Sequence, residues 1–317
     1  MKIAKDKTPV VERYHGNPIL TRDDVPYKIH TVHNAGVCKY QGRYIMLFRS
    51  HLANGRSIIG KATSINGFEF EVDAKPFLTP ATQGDFAEYE AFGVEDLRIC
   101  PCEDKFLLCY SAYSRHGVRI ALAQTKDFES VERIALISQP DMRNCVIFPD
   151  KIDGQYVRLD RPHSDISPWS IWISYSLDLV HWGRSKRVIQ SQTYRWDEMK
   201  IGPGAQPIKT PEGYLNIYHG VFETMAGAVY RLGVALHDLN DPSCVIAVGD
   251  DWILQPEDEW EVNGYVSNVV FTCGAVLEDN QEDIKLYWGG ADQVMCAGTT
   301  TVTKLLEHCK TNSRAAM

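Results

Sequence analysis

The chain has 317 residues, 44% hydrophobic and 23% charged, enough apolar material for a sizeable core. A formal net charge of -8 and a pI near 5.7 exclude a general nucleic-acid or anionic-membrane surface, so an anionic ligand would need a local basic cluster. Met1 to Tyr14 carry no apolar leader core and no stretch approaches the roughly 18 apolar residues of a membrane span, so a cytoplasmic protein is expected. The nine cysteines sit mostly inside apolar runs, and Cys100 and Cys102 lack CxxC spacing and a second pair. They read as reduced core thiols, with no metal site.

In chain order, one unit recurs five times. A short apolar strand turns at Gly or an acidic residue and returns as a strand rich in aromatics and aliphatics. The turns fall at Gln41-Gly42, Glu103-Asp104, Asp153-Gly154, Glu212-Gly213 and Glu278 to Glu282. A third strand follows each return, beginning near Ile58, Arg119, Ser170, Tyr230 and Val294, and most units add a fourth. Five units of three to four antiparallel strands predict an all-β fold, a five-bladed β-propeller with its active site at the central channel. The alternative is a β-sandwich or two β domains. Helical patterning is confined to Thr303–Cys309. A single domain over 1-317 is expected, with a short N-terminal extension, 1-16, and a C-terminal tail, 303-317.

In an antiparallel pair the start of the first strand lies beside the end of the second, so five such places should meet around one opening. They hold Asn34, Asp96, Arg143 with Asn144, Gly204 and Asn268, and opposite them Arg49, Ser111 with Tyr113, Arg161, His219 and Asp292. Arg143, Arg161 and His219 should converge with Tyr230, and in an acidic protein such arginines read as an anion site. The plainer alternative pairs Arg161 with Asp160. Asp96, Asp292, Asn34 and Asn268 suit sugar hydroxyls, and Tyr113, Trp169 and other aromatics could stack on pyranose faces. Sugar, phosphate and one carboxylic acid together suggest phosphorolysis, because phosphate is already a nucleophile. An inverting hydrolase would need a second carboxylate about 6.5–9.5 Å from the acid.

The runs Gly93-VEDLRI, Arg143-NCVIFPDKI with Tyr156-VRLDRP, Lys200-IGPGAQPI, Tyr218-HG, Tyr230-RLGVALHDL, Asn268-VVFTCGA and Tyr287-WGGAD resemble the β-mannoside phosphorylases of glycoside hydrolase family 130, from about Asn17 to Ala297. The resemblance implies a five-bladed propeller that cleaves β-mannosides by inverting phosphorolysis to α-mannose 1-phosphate. It implies Asp96 as general acid, acting through a relay over a mannose hydroxyl. It implies Arg143, Arg161, His219 and Tyr230 as phosphate-holding, and Asn34, Arg49, Arg56, Lys200 and Asp292 as holding the mannosyl unit or its acceptor. Leu97, Ser267 and Thr272 stand where the family commonly has Pro, and Ala35 where some members have Ser; these bear on loop shape and one sugar contact.

No metal or organic cofactor is expected, only inorganic phosphate as co-substrate; the partners are a β-mannoside oligosaccharide and phosphate, with no nucleic acid, no membrane and a possible homo-oligomer. The alternatives are a β-mannosidase of the same family and a non-catalytic glycan-binding propeller. Arg98 and the arginine cluster should lower the pKa of Asp96, so proton donation should await bound phosphate dianion. Gly202-Pro-Gly204 reads as a tight turn near ligand, Arg158 with Asp160 as a possible structural pair, and Ala81 to Phe92 and Gln190 to Glu198 as lids.

Overall fold

A computed structural model describes residues 9–165, 168–311 and 313–317. The chain is all-β: among the described residues four hydrogen-bonded sheets, the largest joining two units, give five units of antiparallel strands in sequence order. The first joins His33–Tyr40, Arg43–His51, Ser57–Ser64 and Glu71–Val72; the second joins Gly93–Cys102, Lys105–Ser114, Gly117–Thr125 and Glu132–Leu136. A single parallel bridge from Ser57 to Gly93 ties these two edge to edge. The third runs through Met142–Ile147, Tyr156–Pro162, Ile171–Ser176 and Gly183–Ile189. In the fourth, the split first strand Lys200–Pro203 and Ile208–Thr210 precedes Gly213–Thr224, Gly227–His237 and Val245–Gly249. The fifth holds Val270–Leu277, Asp283–Gly290 and Val294–Thr301.

Both ends of the chain are woven into this framework, where an extension and a tail are expected. Glu12 and Arg13 pair with Thr299 and Gly298 as the fourth strand of unit five. Ser313 and Arg314 pair with Gly249 and Val248 on the edge of unit four. The expected C-terminal helix is present at Val302–Thr311, burying Val302, Leu305, Leu306 and Cys309. Residues 1–8 of the expected N-terminal extension lie outside the described residues.

The turns carry the backbone that hairpins demand. Gln41, Glu103, Asp153 and Gln281 all have positive φ, as do Gly42 and Gly154 beside them. Alternation along the strands then buries apolar side chains between consecutive units rather than within them. Leu47, Val94 and Tyr110 pack between units one and two; Leu107, Ile120, Cys145 and Ile147 between two and three. Val157, Leu159, Tyr214 and Tyr218 fill the space between three and four, and Leu232, Val234, Leu286 and Trp288 that between four and five. Met46 and Phe48 meet Tyr287 and Met295 between five and one. Eight cysteines are buried and all nine are free thiols, as expected; Cys244 alone is exposed.

The first strands converge. Their close approach needs glycine at two places: a Cβ on Gly36 would lie 2.7 Å from Leu97 O, and one on Gly274 2.7 Å from Val37 N. At one end a cavity of about 360 Å³ is lined from all five units, among others by Val37, Ile99, Pro149, Gln206 and Cys273. The opposite end carries the charged residues.

Candidate active site

Four of the five first strands are kinked by one extra residue at the same depth. The register slips between His33 and Gly36, between Glu95 and Arg98, between Arg143 and Val146, and between Phe271 and Gly274. A bulge sets two residues against one and re-aims a side chain. In units one to three its first residue is Asn34, Asp96 or Asn144, with φ of 50°, 52° and 58°. Asn and Asp tolerate this left-handed region far better than other non-glycine residues. The same kink therefore aims three polar side chains into the centre. In unit five the matching residue is Thr272, whose hydroxyl donates to Tyr287 O at 2.7 Å. Asn268 lies ahead of the strand, and its carbonyl accepts from Tyr230 N at 2.9 Å.

Asp96 is buried. Its Oδ1 accepts from Asn34 Nδ2 at 2.9 Å and from Arg49 Nη1 at 3.0 Å. Arg49 Nη2 donates to Glu95 Oε1 at 2.7 Å and Arg49 Nε to Ser57 Oγ at 3.1 Å. Ser57 Oγ also donates to Glu95 Oε1 at 3.1 Å, so Glu95 is committed to positioning. Burial pushes the Asp96 carboxyl up, but Arg49, Arg98, the Asn34 hydrogen bond and Arg143 outweigh it and hold it well below the usual range. Arg98 lies beneath, 1% exposed, donating to Asp96 O at 2.6 Å and Gly204 O at 2.9 Å. Half-buried Asp292 behaves oppositely. Burial, with Asp96 and Glu95 nearby, pushes its carboxyl up to about 6 despite Arg49.

Units three and four supply the cations. Arg161 is buried and its Nη1 donates to His219 Nε2 at 3.0 Å, its Nη2 to His163 Nε2 at 3.2 Å. Arginine has no acceptor, so both imidazoles present lone pairs at Nε2 and carry their protons on Nδ1. The Asn144 amide, with its oxygen turned to Arg161, accepts from Nη1 and Nη2 at 3.1 and 3.3 Å. The His163 ring stacks on Trp169 at 4.2 Å. Arg143 reaches Glu95 only at 3.8 Å and lies over the Tyr113 ring. Lys200 sits 5.2 Å from the ring centres of both Trp169 and Tyr230. Its ammonium also feels the charges of Arg161 and Arg143.

Among the described residues neither Arg161 nor Lys200 has a carboxylate partner. Burial, with Arg143 and Arg98 nearby, lowers Arg161 to about 9; burial, Arg161 and Arg143 lower Lys200 to about 8. His219 is held well below its ordinary value by burial, Arg161, Arg98 and Lys200, and is neutral. Three buried donors here, Arg143 Nε, Arg161 Nε and His219 Nδ1, have no hydrogen-bond partner. Asp160 pairs instead with Arg158 at 2.8 Å, which removes the pairing of Arg161 with Asp160.

The remaining expected residues fall as follows. Arg56 is exposed on the hairpin between Leu52 and Ser57. Ser111 is buried opposite Glu95 in the register. Gly202 and Gly204 admit protein rather than ligand: a Cβ on Gly202 would meet His219 Cε1 at 2.6 Å, and one on Gly204 Ile217 O at 2.6 Å. The segment from Ala81 to Phe92 is pinned by buried Glu90, which accepts from Ala81 N, Tyr110 and Arg133. Sequence reasoning missed His51, Ser57 and His163. Two residues on from Arg49 and Arg161 respectively, His51 and His163 share their strand faces, and that spacing was the available signal. No group of three or more metal-ligating side chains occurs among the described residues.

The chain is all-β, and its first strands set buried carboxylates and amides beside Arg143, Arg161 and Lys200. The chain belongs to glycoside hydrolase family 130, whose model, described as beta-1,4-mannooligosaccharide phosphorylase, matches residues 2–311. It is 38% identical over 259 residues to a beta-1,2-mannobiose phosphorylase from Listeria innocua, covering 81% of this chain and 70% of that protein. It is 33% identical to a 1,2-beta-oligomannan phosphorylase from a Thermoanaerobacter species, covering 90% and 95%. A solved structure of the Listeria innocua enzyme with beta-1,2-mannobiose superposes with a TM-score of 0.88 at 31% identity, over 95% of this chain and 99% of that one.

Proposed function

We propose that the protein cleaves β-mannosides by inverting phosphorolysis, releasing α-mannose 1-phosphate and a shortened sugar, with the five units as blades of a single-domain propeller. The observation that carries it is the buried trio of partnerless donors on Arg143, Arg161 and His219 beside Lys200, with neither Arg161 nor Lys200 paired to a carboxylate among the described residues. Buried donors without acceptors are costly, and a phosphate oxygen at each would satisfy them. Tyr230 and Lys200 close the same side. The names of the relatives point to the same reaction.

Asp96 is the general acid. Held ionised by Arg49, Arg98 and Arg143, it gains a proton only once phosphate dianion offsets those cations, so donation is tied to the ternary complex. Asn34, Arg49 and Asp292 hold the mannosyl unit between acid and phosphate, with Arg56 at the rim. Glu95 is occupied by Arg49 and Ser57, which leaves it a poor base for water and favours phosphate over hydrolysis. No helix among the described residues is long and apolar enough to cross a membrane, in keeping with a cytoplasmic enzyme.

The test is incubation with β-1,2- and β-1,4-mannobiose and mannosyl-N-acetylglucosamine, with and without phosphate. Mannose 1-phosphate formed only with phosphate is the expected result. Free mannose without phosphate would move the reading to a mannosidase, and binding without turnover of any to a glycan-binding module.

A further inference from the structure

Two arginines reach the site from near the ends of the second strands of units one and three. Each has a histidine two residues on whose Nε2 accepts from its Nη2: His51 for Arg49 at 3.0 Å, His163 for Arg161 at 3.2 Å. Their other partners differ. Arg49 is held by two carboxylates, Glu95 at 2.7 Å and Asp96 at 3.0 Å, so its charge is balanced within the protein. Arg161 is held, among the described residues, by neutral acceptors alone: His163, His219 at 3.0 Å and the turned Asn144 amide at 3.1 and 3.3 Å. An imidazole or an amide oxygen fixes the direction of a guanidinium without removing its charge, whereas a carboxylate does both.

His163 is itself fixed. Its backbone N donates to Asp141 O at 2.8 Å, and its ring lies on Trp169 with 4.2 Å between centres and 11° between planes. Trp169 is anchored in turn, its Nε1 donating to Ser164 O at 2.7 Å and its carbonyl accepting from Ile201 N at 2.9 Å. Burial, with Arg161, Arg143 and Lys200 nearby, pushes the His163 imidazole down to about 3, so it is neutral. We propose that His163 is a positioning residue for the reaction, aiming the Arg161 fork at phosphate as a neutral acceptor and so leaving the full guanidinium charge for the anion. The proposal rests on the phosphorolysis reading above. A buried guanidinium without a counter-ion costs stability in the free protein, and an incoming dianion relieves that cost.

The experiment compares three variants of the full chain: His163→Gln, a neutral acceptor of similar reach; His163→Glu, the same shape with a charge; and His163→Leu, which accepts nothing. Initial rates are measured at varied phosphate and at varied mannoside, with thermal unfolding in the presence and absence of inorganic phosphate. His163→Gln should hold the phosphate KM within about threefold of the unsubstituted protein. His163→Leu should raise it about tenfold and His163→Glu further still, with mannoside KM nearly unchanged. Without phosphate, the His163→Glu protein should unfold no lower than His163→Gln, because its carboxylate pairs with Arg161. Stability and phosphate affinity then part company, which a merely structural role does not allow. A phosphate KM in His163→Glu no higher than in His163→Gln, an unchanged one in His163→Leu, or a mannoside KM rising in step would overturn the proposal. Where His163→Leu fails to fold, the glutamine and glutamate variants decide alone. If phosphate stabilises the unsubstituted protein and the variants respond alike, this proposal alone fails. If phosphate neither stabilises the unsubstituted protein nor yields mannose 1-phosphate, the phosphorolysis reading fails and takes this proposal with it.

Discussion

Replacing Gly202 by alanine tests whether His219 is a positioned phosphate ligand. Gly202 has no positive φ, so alanine strains nothing in the backbone; the conflict is wholly with its neighbours. The new Cβ would lie 2.6 Å from His219 Cε1 and 2.9 Å from Nε2. Restoring an ordinary contact of 3.4 Å requires the ring to retreat by about 0.8 Å. His219 is fully buried, with the Phe271 ring 4.6 Å away, so it has little room to yield. The edge that is struck is the one that accepts from Arg161 at 3.0 Å, so a retreat of that size stretches the contact beyond hydrogen-bonding length. Overpacking should cost about 1–3 kcal/mol of stability. Displacing a phosphate-holding group by nearly 1 Å should raise the phosphate KM by about tenfold or more, with mannoside KM changed much less. Initial rates at varied phosphate and at varied mannoside, with thermal unfolding alongside, give all three quantities. Gly183→Ala is the control, since nothing lies within 4 Å of its added Cβ. An unchanged phosphate KM in a Gly202→Ala protein whose Tm has fallen would refute the role given to His219.

Lys200, lowered to about 8 by burial and by Arg161 and Arg143, should regain a proton when phosphate binds. Phosphate affinity is then greatest below pH 8 and falls toward tenfold per unit as pH rises through that value. Rates between pH 7.5 and 9.5 measure it, and a phosphate KM flat across that window would contradict the assignment. The Asp292 carboxyl, raised to about 6, binds more protons folded than unfolded between its ordinary value and 6, so its charge costs stability above that window. Asp292→Asn should therefore raise stability at pH 7 by about 1–2 kcal/mol after allowance for solvent screening, with the gain shrinking below pH 5. Equal Tm gains at pH 7 and pH 4.5 would tell against it. Asp160→Asn leaves Arg158 buried without its 2.8 Å partner and should cost about 3–5 kcal/mol, read as a lower denaturant midpoint. An unshifted midpoint would mean that the pair contributes nothing.

The repeat was legible because its turns are local chemistry. Gly42, Gly154 and the Asn and Asp residues beside strands mark backbone that few residues adopt, and the apolar runs between them are long enough to read as strands. The ring of Asn34, Asp96 and Asn144 was legible for the same reason, since a left-handed kink selects Asn and Asp. The kink of unit five was not legible: it falls at Thr272, four residues after Asn268, because register depends on pairing across the sheet. The direction of the Lys200 side chain was not legible, because it follows the split strand of unit four and the packing of Trp169 and Tyr230, which come from other strands. The fourth strand of unit five was invisible in that unit's own sequence because Glu12 and Arg13 supply it.

That closing strand governs the order in which the molecule can be completed. Glu12 and Arg13 must wait, unpaired, until Gly298 and Thr299 are available nearly three hundred residues later. Arg13 then locks onto Glu261, which Trp288 also holds, while Arg314 from the other terminus reaches Asp197 and Tyr218 of unit four. Such long-range pairing is slow to form and makes the final step all-or-none. A nascent or truncated chain lacking either end has one sheet with an open edge, which invites pairing with another copy. Yield and aggregation should therefore depend on whether the Glu12–Arg13 and Ser313–Arg314 pairings can form.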